Sequence, residues 1–171
     1  MLRSITACLL ALMLSFQLTA CARFARMFGP DKQLELAEQF LRQSRYDDAI
    51  SAYRKHIDER LALEDRPEWE NPWFYLLMIG DVELRAGQPE KAILSYTEAE
   101  TRGVDTSLVL DRYRSTAAWY EKEGRLAEAA NLLATQRDRD PLIFNGMLDR
   151  ISREIVAQED SPAAPLPTPA S

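Results

Sequence analysis

Few side chains in this 171-residue sequence are able to do covalent or metal chemistry: two cysteines, Cys8 and Cys21, and one histidine, His56. Metal and thiol frameworks need such residues in groups at ligand spacing, and none occurs. His56 lies in the middle of a helical pattern, which favours a structural role over proton transfer. Paired acids recur at Asp47-Asp48, Asp58-Glu59 and Glu64-Asp65. Neighbouring helical residues point about 100° apart, so these pairs do not converge as acid and base and are expected to be solvated faces. No serine has a sequence context that supplies a base, and no Gly-rich loop offers to cradle a phosphate. The expectation is a non-enzyme with no catalytic residue, no metal and no cofactor. With 27 acidic against 21 basic residues the net charge is −6, which disfavours nucleic acid or an anionic lipid surface as a partner held by bulk charge.

The one cysteine with informative neighbours is Cys21. Residues 1–20, MLRSITACLLALMLSFQLTA, carry one positive charge at Arg3 and then an apolar run from Ile5 to Leu18. The run is short for a membrane span, with Ser15 and Gln17 at its far end, and has the form of a secretory signal peptide. Its end, Leu18-Thr19-Ala20-Cys21, resembles the lipobox of bacterial lipoproteins. That resemblance implies cleavage after Ala20, a thioether from the Cys21 sulfur to a diacylglyceryl group, and acylation of the freed amine. Several acyl chains on one residue anchor far more firmly than one. Ala22, rather than an aspartate, follows the cysteine, and by the same resemblance this points to the outer membrane, facing the periplasm. The mature chain would keep Cys21 alone, with no intrachain disulfide. Residues 21–30 would form a lipidated tether in which Phe24 and Phe28 either rest in the lipid interface or pack under the first helix.

Apolar residues recur at intervals of three and four through the rest of the chain, and no stretch alternates long enough for a strand. Breaks at Gly29-Pro30, Gln43-Ser44, Arg66 to Pro72, Gly87-Gln88-Pro89, Gly103, Gly124 and Asp140-Pro141 predict helices over 31–43, 46–64, 72–86, 89–102, 106–123, 126–138 and 141–157. Alternating short and longer loops pair them as antiparallel hairpins. Three segments share one frame: 46–53, 89–96 and 126–133. Each has an alanine (Ala49, Ala92, Ala129) followed four residues later by Tyr53, Tyr96 or Leu133. Twelve residues before the alanine stands Ala37, Gly80 or Ala117, and five before it Ser44, Gly87 or Gly124.

This frame resembles the tetratricopeptide repeat (TPR) and covers about 31–141. Small residues are required where two helices cross closely. The alanines are 43 and 37 residues apart, where the family period is about 34, and the early tryptophan of the family is absent. The resemblance implies an all-α, TPR-like α-hairpin solenoid of about three hairpins over 31–158, closed by a C-terminal capping helix. In that helix Leu142, Phe144, Leu148, Ile151 and Ile155 would form the apolar stripe, with Arg150, Arg153 and Glu154 outward. Residues 159–171 hold four prolines and are expected to be a disordered tail.

Family members bind partners on the concave face made by the first helix of each hairpin. Carried over by position, that face would be Leu34, Glu38, Leu41 and Arg42, then Phe74, Leu77, Asp81, Leu84 and Arg85, then Arg114, Ala118, Glu121 and Lys122. Arg42, Arg85 and Lys122 fall at one equivalent position, as a row of cations or as solubilising charge. Glu38 and Asp81 stand where chaperone-binding members carry carboxylate-clamping asparagines, which disfavours such a clamp. The leucines suggest a groove for an amphipathic helix or extended segment. Of Trp69 and Trp73, beside the longer loop, one is expected to pack at a helix entry, and an exposed one would be an interaction candidate.

The combined expectation is a membrane-anchored periplasmic scaffold for protein–protein interaction in a cell-envelope process, held by acylated Cys21, with no nucleic acid and no small-molecule substrate. The alternative is an accessory subunit of an envelope or cell-wall enzyme, or of a pilus, secretion or outer-membrane assembly machine.

Overall fold

The computed structural model describes residues 31–160; the predicted signal peptide, the tether with Cys21 and nearly all of the Pro-rich tail lie outside them. The described residues are all-α. Seven α-helices follow one another: α1 Lys32–Arg42, α2 Tyr46–Leu61, α3 Tyr75–Arg85, α4 Pro89–Thr101, α5 Thr106–Lys122, α6 Leu126–Gln136 and α7 Pro141–Glu159. A 3₁₀ turn, Pro72–Phe74, leads into α3. The second helix stops at Leu61 rather than residue 64, where Arg60 turns to meet Glu70 across the following loop through Nε–Oε1 at 2.6 Å and a second, shorter contact. Helix α7 runs to Glu159, because nothing before Pro162 opposes a helix.

The ends of these helices are chemically specified. Asp31, Asn71, Asp105 and Asp140 each accept backbone N–H groups of the turn that follows, satisfying donors that have no partner inside the helix. At the other ends one cap recurs. Arg45 N donates to Phe40 O and Ser44 N to Leu41 O; Gln88 and Gly87 repeat this to Glu83 and Leu84, and Arg125 and Gly124 to Tyr120 and Glu121. This double bond needs a left-handed residue, and Ser44, Gly87 and Gly124 have φ of 57°, 75° and 73°. The three hairpin turns are thus built alike, although one uses serine.

Three-residue turns force α1/α2, α3/α4 and α5/α6 into antiparallel pairs. Each pair packs on the next, α7 packs on α6, and α3 also touches α5. The six small residues of the repeated frame sit where helices cross: Ala37, Ala49, Ala92, Ala117 and Ala129 are fully buried, and a Cβ at Gly80 would collide with the Tyr96 ring. Tyr96 is itself among the largest fully buried side chains. In α7, Phe144 and Ile151 are buried, with Leu148 and Ile155 packed against the core. Leu142, expected on that stripe, is instead 91% exposed. It lies two residues before Phe144, about 200° round the helix. Arg150 is not turned to solvent alone either, because its guanidinium grips Glu121 of α5.

The alternation of direction gives the molecule two edges. One carries the three tight turns. The other carries Asp31 and the loops 62–71, 102–105 and 137–140. A chain of contacts runs along this second edge. His56 Nδ1 lies 2.7 Å from Asp31 Oδ2, Gln33 Nε2 donates to Glu59 Oε1 at 3.0 Å, Arg60 pairs with Glu70, Asn71 Nδ2 donates to Arg102 O at 3.4 Å, and Arg139 pairs with Glu100.

Candidate binding surface

A cavity of about 170 Å³ opens between the first two hairpins, lined by Leu41 of α1, Tyr53 of α2, and Met78, Asp81, Val82 and Arg85 of α3. Leu41, Asp81 and Arg85 belong to the predicted face and come together here. Leu34 and Leu84 are half-buried against the core. Glu38 and Arg42 are exposed and form a loose i,i+4 pair at 3.6 Å, and Phe74 is exposed with its ring edge-on to Tyr75 at 5.9 Å. Leu77 is not part of the surface: it is 0% exposed. Helix α3 packs on α2, α4 and α5, so its buried arc takes in Leu76, Leu77, Ile79, Gly80, Val82 and Glu83. The line Met78, Asp81 and Arg85, spaced three and four apart, is what α3 offers to the cavity.

The third-repeat positions divide. Ala118 and Lys122 are exposed. Arg114 pairs with Asp111 and lines a second cavity of about 130 Å³ between α5 and α7, with Leu110, Ile143 and Phe144 among its walls. Glu121 is held by Arg150 of α7, Nη2 to Oε2 at 2.8 Å. Arg42, Arg85 and Lys122 each stand in the last turn of a helix, where a cation also offsets the partial negative charge of the unpaired carbonyls. The row therefore has a local structural use besides any role in binding.

Asp81 is the polar node of the surface. Its Oδ1 accepts from Tyr96 Oη at 2.9 Å and its Oδ2 from Arg112 Nη2 at 3.3 Å, linking α3, α4 and α5. Burial, and then the neighbouring Asp81 charge, push the Tyr96 hydroxyl far above its ordinary range, so it stays a neutral donor. Sequence reasoning missed Arg112, as it did Tyr53, Met78 and Val82. A signal for Arg112 was present in the repeat frame: it stands five residues before Ala117 as Tyr75 stands five before Gly80. Tyr75 also reaches back to the preceding hairpin, stacking on Tyr53 at 6.2 Å and edge-on to His56 at 4.2 Å.

His56 is buried in α2. Its Nδ1 is at ion-pair distance from Asp31 without a hydrogen bond's alignment. Trp73 packs at the entry of α3 beneath the Arg102 guanidinium, 4.3 Å from its ring centroid, whereas Trp69 is 80% exposed. Among the described residues, a larger hollow of about 440 Å³ is lined by Asp149, Ser152 and Arg153 of α7 alone.

Both cavities between helices are smaller than the roughly 300–1,000 Å³ of small-molecule sites. Among the described residues no group of three or more His, Cys, Asp or Glu could hold a metal ion, and no helix is long and apolar enough to cross a membrane. No protein-family model matches the chain, and no curated protein matches it either.

Proposed function

We propose that this chain is a TPR-type lipoprotein of the bacterial envelope, anchored through acylated Cys21 in the outer membrane and facing the periplasm. It acts there as a non-catalytic scaffold that holds a protein partner. The repeat reading is supported by three hairpins with the same small-residue crossings and the same turn hydrogen bonds. The lipid anchor is supported by Leu18-Thr19-Ala20-Cys21. The observation that carries the binding role is the shallow cleft where Leu41, Tyr53 and Met78 lie beside Asp81 and Arg85. Apolar floor and charged rim together suit one face of an amphipathic segment.

The test is site-specific photocrosslinking in living bacteria from position 78, which opens into the cleft. A discrete adduct with one envelope protein is expected, lost in Arg85→Glu while helicity and melting are unchanged. An adduct indifferent to Arg85→Glu, or none, defeats the cleft as the binding site. Cys21→Ser should release the protein from the membrane fraction, and undiminished membrane association would defeat the anchor.

A further inference from the structure

The edge that carries Asp31 is also where the molecule leaves its apolar side chains uncovered. Among the described residues seven large hydrophobic side chains are exposed. Trp69 lies in the loop before α3, Phe74 at the entry of α3, Leu108 in the first turn of α5, and Leu142 and Ile143 in the first turn of α7. All five lie at this edge, since the helices α1, α3, α5 and α7 start there. Leu94, in the middle of α4, and Val156, near the end of α7, are the others. Of the seven, only Val156 falls toward the side of the tight turns, where α7 ends. Scattered exposed hydrophobics need no explanation, but their collection along one edge does.

These loops are built rather than loose. The loop bearing Trp69 is clamped at its base by Arg60 and Glu70, whose side chains are 13% and 17% exposed, and by the bond from Asn71 to Arg102 O. The next loop is held by Arg102 over Trp73 and by buried Val104, and the last by Arg139 on Glu100. A fixed loop that turns a tryptophan outward does not do so by disorder.

The chain itself says what lies on that side. The segment before Asp31 joins the fold at this edge, and ten residues back stands Cys21, with the apolar run Ile5 to Leu18 before it. Membrane attachment by either feature enters the fold at the Asp31 edge, which makes that edge the nearest to the bilayer along the chain. Ten residues span at most about 36 Å, so the edge stays within reach of the headgroups at high effective concentration. Tryptophan is the side chain most at home at that depth, its ring in the acyl boundary and its N–H in water. Both signs of charge flank the exposed apolar residues, Glu64 and Glu68 in the loop of Trp69 and Arg137 and Arg139 in the loop before Leu142, so attraction to anionic headgroups does not drive the contact and zwitterionic lipid suits it.

We infer that this edge is a membrane-contacting surface: Trp69, with Leu142 and Ile143, seats the helical domain on the zwitterionic lipid interface next to its anchor. The orientation leaves the cleft at Met78 and Arg85 on the periplasm-facing body of the molecule. The inference rests on the anchoring part of the proposed function and adds to it a docking geometry.

The test uses the full chain purified from bacterial membranes and reconstituted into phosphatidylethanolamine vesicles containing phosphatidylcholine brominated near the top of its acyl chains. Bromine quenching and a blue shift of tryptophan emission are expected, both lost in Trp69→Phe with co-flotation unchanged. A nitroxide at Leu142→Cys should favour oxygen over a water-soluble relaxant, and one at Leu94→Cys the reverse. A chain that fails to float defeats the anchor and this inference together. A chain that floats with Trp69 unquenched, or with the Leu142 label as water-exposed as the Leu94 label, defeats the inference alone. A blue shift without bromine quenching, seen only on adding an envelope protein, would assign the edge to that protein.

Discussion

Glu83 shows how one residue can be constrained by its neighbours rather than by its type. It occupies the place that Phe40 and Tyr120 hold in the first and third hairpins, three residues after the small residue of the frame. There Arg45 and Arg125 lie over the rings at 4.4 and 4.6 Å. The middle hairpin instead buries a carboxyl group that accepts from Ser95 Oγ at 2.6 Å. A buried acid tolerates this only while its partner is present. Ser95→Ala should cost about 1–3 kcal/mol, as expected when a buried acceptor loses its donor, whereas Glu83→Leu combined with Ser95→Ala should recover most of that loss. Urea melts of the two singles and the double measure the coupling. Additive losses would mean that the pair is not a unit.

At the scale of the element, the hairpin turn is the repeating device. Two of the three turns place glycine in the left-handed position and the first places Ser44. A side chain there costs about 1–2 kcal/mol, against roughly 0.5–1 kcal/mol for the extra freedom glycine carries when unfolded. Ser44→Gly should therefore raise stability by about 0.5–1 kcal/mol, visible as a higher Tm; a lower Tm would mean that the serine side chain repays the strain. The helices themselves were legible in the sequence because caps, breakers and periodicity all act within a few residues. Asp140-Pro141 marked one start, and Gly87, Gly103 and Gly124 three ends. The surface was less legible because burial depends on what packs from elsewhere. Leu77 and Met78 are adjacent and of similar size, and only the presence of α2, α4 and α5 around α3 decides that one is core and the other lines a cleft. Arg114 and Arg112 differ in the same way: the first turns to Asp111 and the groove under α7, the second crosses to Asp81.

The whole molecule joins its hairpins through tyrosines, and this sets its response to alkali. Burial, ahead of nearby carboxylates, raises the hydroxyl pKa of Tyr53, Tyr75, Tyr96 and Tyr120. In the unfolded chain these groups lose their protons near pH 10; in the fold they keep them to higher pH. The folded state then binds more protons, so stability is full below about pH 10 and falls as the pH rises beyond it. Tm measured from pH 8 to 11 should decline at the upper end, and Tyr96→Phe should flatten that decline while lowering Tm at neutral pH. A flat profile in the parent protein would contradict the burial of these rings.

Asp31 has a mechanical consequence. It caps α1 through Gln33 N at 2.9 Å and Leu34 N at 3.2 Å, and its second carboxylate oxygen lies against His56 of α2. Tension entering the helical body through Asp31 reaches both α1, through its cap, and α2, through the contact with His56. A pull at this end is then met by a hairpin rather than by the first turn of one helix alone.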